Sequence, residues 1–582
     1  MNVDHQSKLY SFFFEPLSEN NKSHKIYWLL ISLAFVTIWI AITFNGIFSG
    51  SLNGQIYEDD VRSFAFWMYK FIDPNLFQND FPAEVAQAVT PIGYTYLFKF
   101  LIGLGIEPLL IFQVLPIIIT YVGSIFIFLA IIEILPIPFL GFICIVISLI
   151  SLPLASSTPR GFAWVILPAF FYYLLRGAWI PTGITLILQG IFYPPILLIM
   201  GGILGFRLFS WENRKLVSSR QINDYLLFFI GVGAIITAAC LNYFSTSKYL
   251  PIYTANEAIK MPEFWYPDGR APYFSHNYLD TLIYGWQSGM RPNYLFEPFW
   301  LNWLSLALPI LCLFPNKFPL VKLLKSGWII LPQSILSSLS LFSLANILFM
   351  KLYFPNRYTN ILGIIIVFSS SITIIIISHS LYQWTIRNSV KLYPLVKWIV
   401  RGTIILGGIY ILLYPIYFNP SHIKAIYHVP SIESYISQQS KNVMVASLDN
   451  IVSDNIPTFA KRSVLFSNEF NFPIYPSVYE EMAQRADSFM KVHYTDSLQE
   501  LRAFIKKYNV DYLVINSSHF SVDYINRSRW FKQRKNLATF ANHQLQSGKK
   551  IALANFIDKC SVLKVKSGNN VRTVIATKCI LE

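Results

Sequence analysis

Long apolar runs separated by short polar segments fill the first 418 of the 582 residues. A membrane-spanning helix needs roughly 20 apolar residues, and eleven runs are close to that length. One of them is too long for a single straight helix and contains Pro194–Pro195, so it is broken or divides in two. We predict spans at 26–48, 89–106, 108–132, 136–153, 161–175, 178–206, 225–244, 299–314, 327–350, 361–384 and 402–418.

The pattern changes after residue 418. Short apolar runs at 442–447, 463–466 and 511–515 have the length of buried strands, and 497–508 has the period of an amphipathic helix. The chain therefore predicts an α-helical polytopic membrane protein: a cytoplasmic N-terminus at 1–25, a transmembrane domain of about eleven helices at 26–418, and an extracytoplasmic α/β domain at 419–582.

A hairpin is predicted near the end of the chain, where two strand-like runs flank Ser567–Asn570. A two-residue turn at Asn569–Asn570, both of which tolerate positive φ, sets Cys560 opposite Cys579. We expect a disulfide between them, because an outside location is oxidising. The alternative is two unpaired thiols that face each other by coincidence of register.

Composition and charge support the membrane assignment. Charged residues make up 13% of the chain and hydrophobic residues 54%, whereas soluble domains carry roughly 25% charged residues. This balance excludes a soluble enzyme. The net charge of +15 has no long basic run behind it, so it predicts membrane topology and not a nucleic-acid partner.

Basic clusters give the orientation. With eleven spans, the clusters near 8–25, 207–220, 317–325 and 387–397 all fall on the cytoplasmic side, as the positive-inside rule requires. Arg160 falls on that side as well. The N-terminus is then cytoplasmic, and the C-terminal domain lies beyond the cytoplasmic (inner) membrane.

The first outside loop, 49–88, carries the most informative polar residues. Carboxylates beside a membrane cost free energy unless they are solvated, paired or used. Arg62 follows the carboxylates, and Asp80 lies in a second acidic turn; both are substrate-binding candidates. The aromatic stretch 63–72 between them predicts a helix lying in the interface. The three consecutive carboxylates are Glu58, Asp59 and Asp60.

This layout resembles the GT-C superfamily of membrane glycosyltransferases. The resemblance rests on a first span that leads outward, the acidic pair after it, interfacial helices, many further spans and a C-terminal extracytoplasmic domain. It implies a polyprenyl-phosphate-linked sugar as donor and a lipid or polysaccharide as acceptor. It also implies that Asp59 or Asp60 is the catalytic base or orients the acceptor, sometimes through a divalent cation such as Mg²⁺ or Mn²⁺.

The chemistry is consistent with the residues themselves. An acceptor hydroxyl must lose its proton as it attacks the anomeric carbon, and a carboxylate can accept that proton. The leaving phosphate must be neutralised by Arg, Lys or a metal. Glu58 is then a further substrate-binding residue. The alternative for all three carboxylates is a solvated cluster that caps a helix.

Further substrate-binding candidates lie in the later outside segments. Arg357 sits in a short turn at headgroup depth, where it contacts the donor phosphate or reaches lipid headgroups. The loop 245–298 places Arg270, His276 and Arg291 among many aromatic residues. Such a loop is typical of a lid over a sugar-binding cleft, or it lies on the membrane surface.

A second class of function remains open at this stage. The chain is then a non-catalytic multi-pass membrane protein, either an envelope lipid transporter or flippase, or an assembly factor. The predicted spans hold almost no ionisable residues in mid-membrane, whereas a transporter is expected to keep some there. Substitution of Asp59 or Asp60 by Asn separates the two classes.

Overall fold

The computed structural model describes residues 10–18, 21–44, 60–212, 215–291, 299–387, 394–417, 427–548, 550–567 and 570–582. Within them, six helices are long and apolar enough to cross a membrane, and five shorter apolar helices lie among them. The helices up to residue 417 are α1 Lys22–Thr43, α2 Val61–Met68, α3 Phe81–Val89, α4 Ile92–Gly103, α5 Pro108–Ile134, α6 Pro138–Ser151, α7 Ala163–Leu175, α8 Trp179–Phe192, α9 Pro194–Arg207, α10 Ile222–Thr246, α11 Ala255–Ala258, α12 Tyr278–Ile283, α13 Trp300–Cys312, α14 Ile330–Leu348, α15 Asn356–Thr359, α16 Leu362–Arg387 and α17 Pro394–Tyr417.

The remaining chain folds around a five-stranded mixed sheet. Its order is β4-β3-β5-β7-β6, with β4, β3 and β5 parallel and β7 antiparallel to both of its neighbours. A separate two-stranded ribbon, β1 Phe209–Glu212 and β2 Lys215–Ser218, precedes α10. The sheet strands are β3 Met444–Ala446, β4 Ser463–Val464, β5 Tyr512–Asn516, β6 Ser561–Ser567 and β7 Asn570–Ala576. The helices are α18 Pro430–Ser437, α19 Asn450–Ser453, α20 Ile456–Phe459, α21 Pro476–Tyr494, α22 Leu498–Tyr508, α23 Val522–Arg527, α24 Arg529–Gln533, α25 Lys535–Gln546 and α26 Lys578–Leu581.

The predicted elements of this domain match the structure closely. Strands β3 and β4 fall within the predicted runs 442–447 and 463–466, and β5 overlaps the run 511–515 but ends one residue later, at Asn516. Helix α22 begins after Ser497, whose side chain accepts a hydrogen bond from the Glu500 backbone N–H, and it ends at Asn509 in the left-handed conformation. These are ordinary helix start and stop signals.

Polar contacts identify the two ends of the helix bundle. Next to the sheet, at what we call the domain end, Lys461 Nζ lies 2.9 Å from the Glu107 carboxylate at the start of α5. At the opposite end, the Lys325 backbone N–H donates to the Ile134 carbonyl, the last residue of α5 (3.0 Å). Helix α5 therefore runs the whole length of the bundle.

Helix α4 covers Ile92–Gly103 within the run predicted as a span at 89–106, and it does not run from one end of the bundle to the other. The Tyr94 hydroxyl donates to the Ser157 carbonyl (2.6 Å), and Glu107, just beyond the other end of α4, is the residue bound by Lys461. Helix α4 is short because the turn at Gly105, with φ of +88°, follows its last residue.

The run predicted at 178–206 forms two helices. Helix α8 ends at Phe192, the next residue, Tyr193, has φ of −153°, and α9 begins directly with Pro194. The Phe192 ring stacks on Phe162 at 4.4 Å at the domain end. The chain then returns along α9 to Arg207, which pairs with Asp224 in the first turn of α10 (2.7 Å).

The differences at 89–106 and 178–206 change the position predicted for Arg160. One full-length helix fewer than predicted precedes Arg160 and one more follows it, so the helices between them run along the bundle in the opposite direction to the predicted one. The Arg160 guanidinium forms an ion pair with Asp60. The prediction that Arg160 lies on the opposite side of the membrane from the acidic loop is therefore wrong.

The terminal hairpin pairs in a different register from the predicted one. Ser567 lies opposite Asn570, whereas a turn at Asn569–Asn570 requires Gly568 opposite Val571. Cys579 lies beyond β7, in α26, and this helix returns it to Cys560, with which it forms a disulfide (Cα–Cα 5.6 Å).

Candidate functional site

A cavity of about 1390 Å³ lies at the domain end, between the bundle and the C-terminal domain. Five basic and two acidic side chains line it, an excess of three positive charges. A cavity of this kind favours an anionic ligand. The basic residues are Lys99, Arg160, Arg270, Lys351 and Arg357, and the acidic residues are Asp60 and Glu469.

One wall of the cavity is apolar. It is formed by α8, α9 and α10 and by the edge of α4, where Tyr96 is 62% exposed. Tyr243, on α10, is 57% exposed and lines the same region. The cavity therefore joins charged groups to a greasy surface at the flank of the bundle. The aliphatic residues of this wall are Ile191, Leu197, Leu198, Ile235, Ala238 and Leu241.

Asp60 stands at the charged side of the cavity, at the start of α2. Its side chain is 45% exposed and is bound by Arg160, which is 27% exposed. Arg160 reaches it from the short 3-10 helix Pro159–Phe162. The carboxylate is thus positioned by a cation while it remains accessible from the cavity.

Glu469 joins three parts of the chain beneath the cavity. Its side chain is 5% exposed and accepts hydrogen bonds from Arg62 Nη2 (3.4 Å) and Ser63 Oγ (2.9 Å), both on α2. Arg270, from the loop 245–298, lies 3.5 Å from the same carboxylate and donates to the Glu469 carbonyl (3.0 Å). This loop is therefore clamped to the C-terminal domain.

A second acidic residue lies behind Glu469. Asp454 is buried and accepts a hydrogen bond from Ser467 Oγ (2.5 Å). Burial raises the pKa of Asp454, and the charges of Arg62 and Arg270 act in the opposite direction. The group supports the floor of the cavity and is not itself exposed to it.

Three buried polar atoms at the cavity have no hydrogen-bond partner among the described residues. They are Arg270 Nε, Gln287 Oε1 and Asn471 Oδ1. Buried polar groups are nearly always paired. The set lies in the cavity wall and combines one donor with two acceptors.

Lys351 and Arg357 reach the cavity from the turn between α14 and α16. Arg357 lies over the Tyr353 ring, with its guanidinium carbon 5.9 Å from the ring centroid. Phe349, Met350 and Tyr353 all have positive φ, so this turn is tightly folded. The turn presents two cations to the same space as Asp60.

The predicted residues Asp60, Arg270 and Arg357 thus line one cavity, and Arg62 contacts it through Glu469. Glu58 and Asp59 lie outside the described residues.

Three other predicted residues do not line this cavity. Asp80 is 3% exposed and caps α3 by accepting from the Ala83 backbone N–H (2.8 Å). Burial raises the pKa of Asp80, opposed by its hydrogen bonds. His276 is exposed and its ring lies 5.4 Å from Trp265; Arg291 is exposed and lies over Tyr284 at 5.7 Å.

The described residues contain no cluster of three or more His, Cys, Asp or Glu side chains suited to a metal ion. Asp60 and Glu469 are each bound by arginine. A Mg²⁺ or Mn²⁺ site that includes Glu58 or Asp59 stays a prediction from the sequence.

Sequence reasoning missed Arg160, Lys99, Lys351 and Glu469 as members of this site. Arg160 was assigned to the other side by the span count. Glu469 follows a strand and lies in the polar-aromatic segment 467–472, which is a weak local signal. Its partners Arg62 and Ser63 are about 400 residues away in sequence.

No protein-family model and no curated protein matches the chain. Solved structures match it at the level of the fold. The archaeal oligosaccharyltransferase AglB from Archaeoglobus fulgidus, in complex with an inhibitory peptide and a dolichol-phosphate, gives a TM-score of 0.52 at 12% identity, over 90% of this chain and 72% of that one.

Two further structures of the Archaeoglobus fulgidus oligosaccharyltransferase agree. The form tethered to an acceptor peptide gives a TM-score of 0.52 at 12% identity, over 89% of this chain and 72% of that one. The apo form gives 0.52 at 12%, over 90% and 73%. The chain therefore shares the fold of this archaeal oligosaccharyltransferase.

Proposed function

We propose that the protein is a membrane glycosyltransferase that moves a sugar from a polyprenyl-phosphate donor to a lipid or polysaccharide acceptor at the outer face of the cytoplasmic membrane. One observation carries this proposal: a single cavity combines an accessible carboxylate, several cations and an aliphatic wall. A lipid-linked sugar phosphate has the matching parts. The neighbouring enzyme was solved with a dolichol-phosphate.

Each part of the cavity has a role in the transfer. The acceptor hydroxyl attacks the anomeric carbon and gives its proton to Asp60. The bond from the anomeric carbon to the phosphate oxygen breaks, and its electron pair leaves with the phosphate. Arg160, Lys351 and Arg357 neutralise that phosphate. The aliphatic wall holds the first part of the polyprenyl chain.

Arg160 has two roles in this proposal. It holds Asp60 before the donor arrives, and it is also within the cationic set that a phosphate attracts. Binding of the donor therefore draws Arg160 away from the carboxylate. The carboxylate is then a better proton acceptor, because a nearby cation lowers its affinity for a proton.

We infer eleven membrane crossings, formed by all the apolar helices except α4. The number and the direction agree with the positive-inside rule, since Arg176, Arg207, Lys317 and Lys325 lie at the end opposite the domain. The Cys560–Cys579 disulfide supports an oxidising compartment for the domain end.

The test is transfer by the purified protein in liposomes that contain a radiolabelled polyprenyl-phosphate sugar and a lipid acceptor. We expect Asp60→Asn to reduce the rate roughly 10²- to 10⁴-fold, as loss of a general base does, without a change in thermal stability. Asp523→Asn, an exposed aspartate on α23, is the matched control. Full activity of Asp60→Asn contradicts the proposed role.

A further inference from the structure

A second cavity, of about 440 Å³, lies within the C-terminal domain. It is at the carboxyl ends of β3 and β5, which are adjacent and parallel. In sheets with parallel strands, ligands commonly bind in the crevice beyond these ends. Leu448, Asp449 and Asn450 follow β3, whereas Asn516 is the last residue of β5 and Ser518 follows it.

The floor of this cavity is a fixed polar network. The Asp449 carboxylate is 7% exposed and accepts from Asn516 Nδ2 (2.8 Å), Arg572 Nε (2.8 Å) and the Ile451 backbone N–H (3.0 Å). With three donors its charge is satisfied. Arg572 keeps its two terminal nitrogens without a hydrogen-bond partner among the described residues, so they are available to a ligand.

The rim adds more positive charge. Three arginines and one aspartate line the cavity, an excess of two positive charges. Arg527 has a surface partner in Asp523 (2.9 Å). Arg529 is exposed, and the described residues offer it no ion pair.

His519 faces the cavity as a neutral group. It is 1% exposed, and its Nδ1 has no hydrogen-bond partner in the described part of the chain. Burial, and then the charge of Arg572, lower the pKa of His519 to about 3. Trp530 completes the wall, with its indole N–H donating to Asn450 Oδ1 (3.0 Å).

We propose that this cavity binds a saccharide that carries a negative charge, either the carboxylate of a uronic acid or a phosphate. The free guanidinium nitrogens of Arg572 and the side chain of Arg529 bind the anion. Asn450, Ser518 and Asn570 line the same space with groups that hydrogen-bond hydroxyls. This binding site goes beyond the proposed transfer reaction.

A short series of hydrogen bonds connects the second cavity to the first. Ile451 lines the second cavity, and its carbonyl accepts from Asn455 Nδ2 (2.8 Å). Asn455 in turn accepts from Arg62 (3.2 Å), which binds Glu469 at the first cavity. A charged glycan held here lies within a short chain of contacts from the transfer site.

Calorimetric titration of the full-length protein in detergent tests the proposal. The probes are D-glucuronate, glucose 1-phosphate, D-glucose and inorganic phosphate. We expect at least one charged sugar to bind about tenfold more tightly than glucose or phosphate alone, and Arg529→Gln to weaken it about tenfold. Tighter binding of glucuronate identifies a carboxylate ligand, and tighter binding of glucose 1-phosphate identifies a phosphate ligand; either supports the site.

Lys506→Gln removes one exposed positive charge from α22 of the same domain and should change binding by less than about twofold. Equal binding of inorganic phosphate and glucose 1-phosphate, with no binding of glucuronate, overturns the saccharide proposal, as does failure of every probe to bind. An unchanged affinity in Arg529→Gln also overturns it. Arg529 lines the second cavity and does not line the first, so the effect of Arg529→Gln on binding reports on this site, and failure of the transferase proposal, measured by the transfer rate of Asp60→Asn, is distinguishable from failure of this one.

Discussion

Two buried histidines, His493 and His519, show how single residues affect the pH range over which the folded protein is stable. Their rings lie 5.4 Å apart in the core of the C-terminal domain. Burial lowers the pKa of both, with a further decrease from the neighbouring charge. Both are therefore neutral in the folded state at neutral pH, with no hydrogen-bond partner for either nitrogen of His493 among the described residues.

Stability is expected to fall below neutral pH. Since the pKa of His519 is about 3 when folded and 6.5 when exposed, the unfolded state takes up a proton as the pH drops below 6.5 while the folded state does not. The contribution of His519 to the free energy of unfolding is therefore fully present above pH 6.5 and decreases as the pH falls towards 3. Between pH 7 and pH 5 the loss from this residue is about 2 kcal/mol.

His519→Phe should remove this part of the pH dependence. Thermal unfolding at pH 7 and pH 5 measures it, and the difference between the two pH values is informative even where the variant is less stable at both. His543→Phe, at an exposed position on α25, is the control. The same pH difference in His519→Phe and in the parent protein contradicts the assignment.

At the scale of elements, the short helix α4 is the feature that organises the site. Because it begins and ends at the domain end, it keeps Lys99 and Tyr96 at the cavity. It also brings the loop that contains Arg160 to the side of Asp60. A spanning helix in its place would separate these two residues by the thickness of the membrane.

Cysteine accessibility tests the course of α4. In a variant whose native free cysteines Cys144, Cys240 and Cys312 are replaced by serine, a membrane-impermeant maleimide should label Leu104→Cys from the same side as Lys506→Cys in the C-terminal domain. Leu104 is 64% exposed. Asn316→Cys, in the turn after α13, should react only after permeabilisation. Labelling of Leu104→Cys together with Asn316→Cys contradicts the fold.

At the scale of the whole molecule, Glu469 holds three regions together. Glu469 belongs to the C-terminal domain, and its carboxylate contacts α2 and the loop 245–298. The large loop has further contacts with this domain, including Lys532 with Asp268 (3.0 Å). The cavity depends on the relative positions of α2, the loop 245–298 and the C-terminal domain, which these contacts fix.

Glu469→Gln should destabilise the assembled protein. It leaves Arg62 and Arg270 without their shared negative charge, and breaking a buried ion pair typically costs about 3–5 kcal/mol. We expect a lower melting temperature and faster proteolysis of the loop 245–298. Glu481→Gln, which removes an exposed pair with Arg485, should cost at most about 1 kcal/mol. Equal effects of the two substitutions contradict this role of Glu469.

Local signals in the sequence account for much of the fold. The apolar runs of α5 and α16, the strand of β5 and the capped start of α22 each depend on residues close together in the chain. The resemblance to GT-C enzymes added the acidic loop, and Asp60 does line the cavity. Arg357 and Arg270 were found because their segments are polar between apolar runs.

The remaining parts depend on contacts between distant residues. A count of apolar residues does not reveal where a helix ends within the bundle, so the run 89–106 predicts a full-length helix where α4 is short, and the prediction for Arg160 is wrong. Glu469 becomes significant only when Arg62 and Arg270 meet it in space. The hairpin register depends on which glycine or asparagine takes the turn, and the sequence offers several in succession.

The aliphatic wall beside the cationic rim bears on how substrate is supplied. A sugar nucleotide dissolved in water has nothing to place against that wall, whereas each methylene of a polyprenyl tail buried there contributes about 0.8 kcal/mol. Selection then operates on the tail as much as on the sugar. With the proposed polyprenyl-phosphate donor, the relevant concentration is the number of donor molecules per unit area of leaflet, so we expect turnover to follow membrane composition and fluidity more closely than the volume of the surrounding solution.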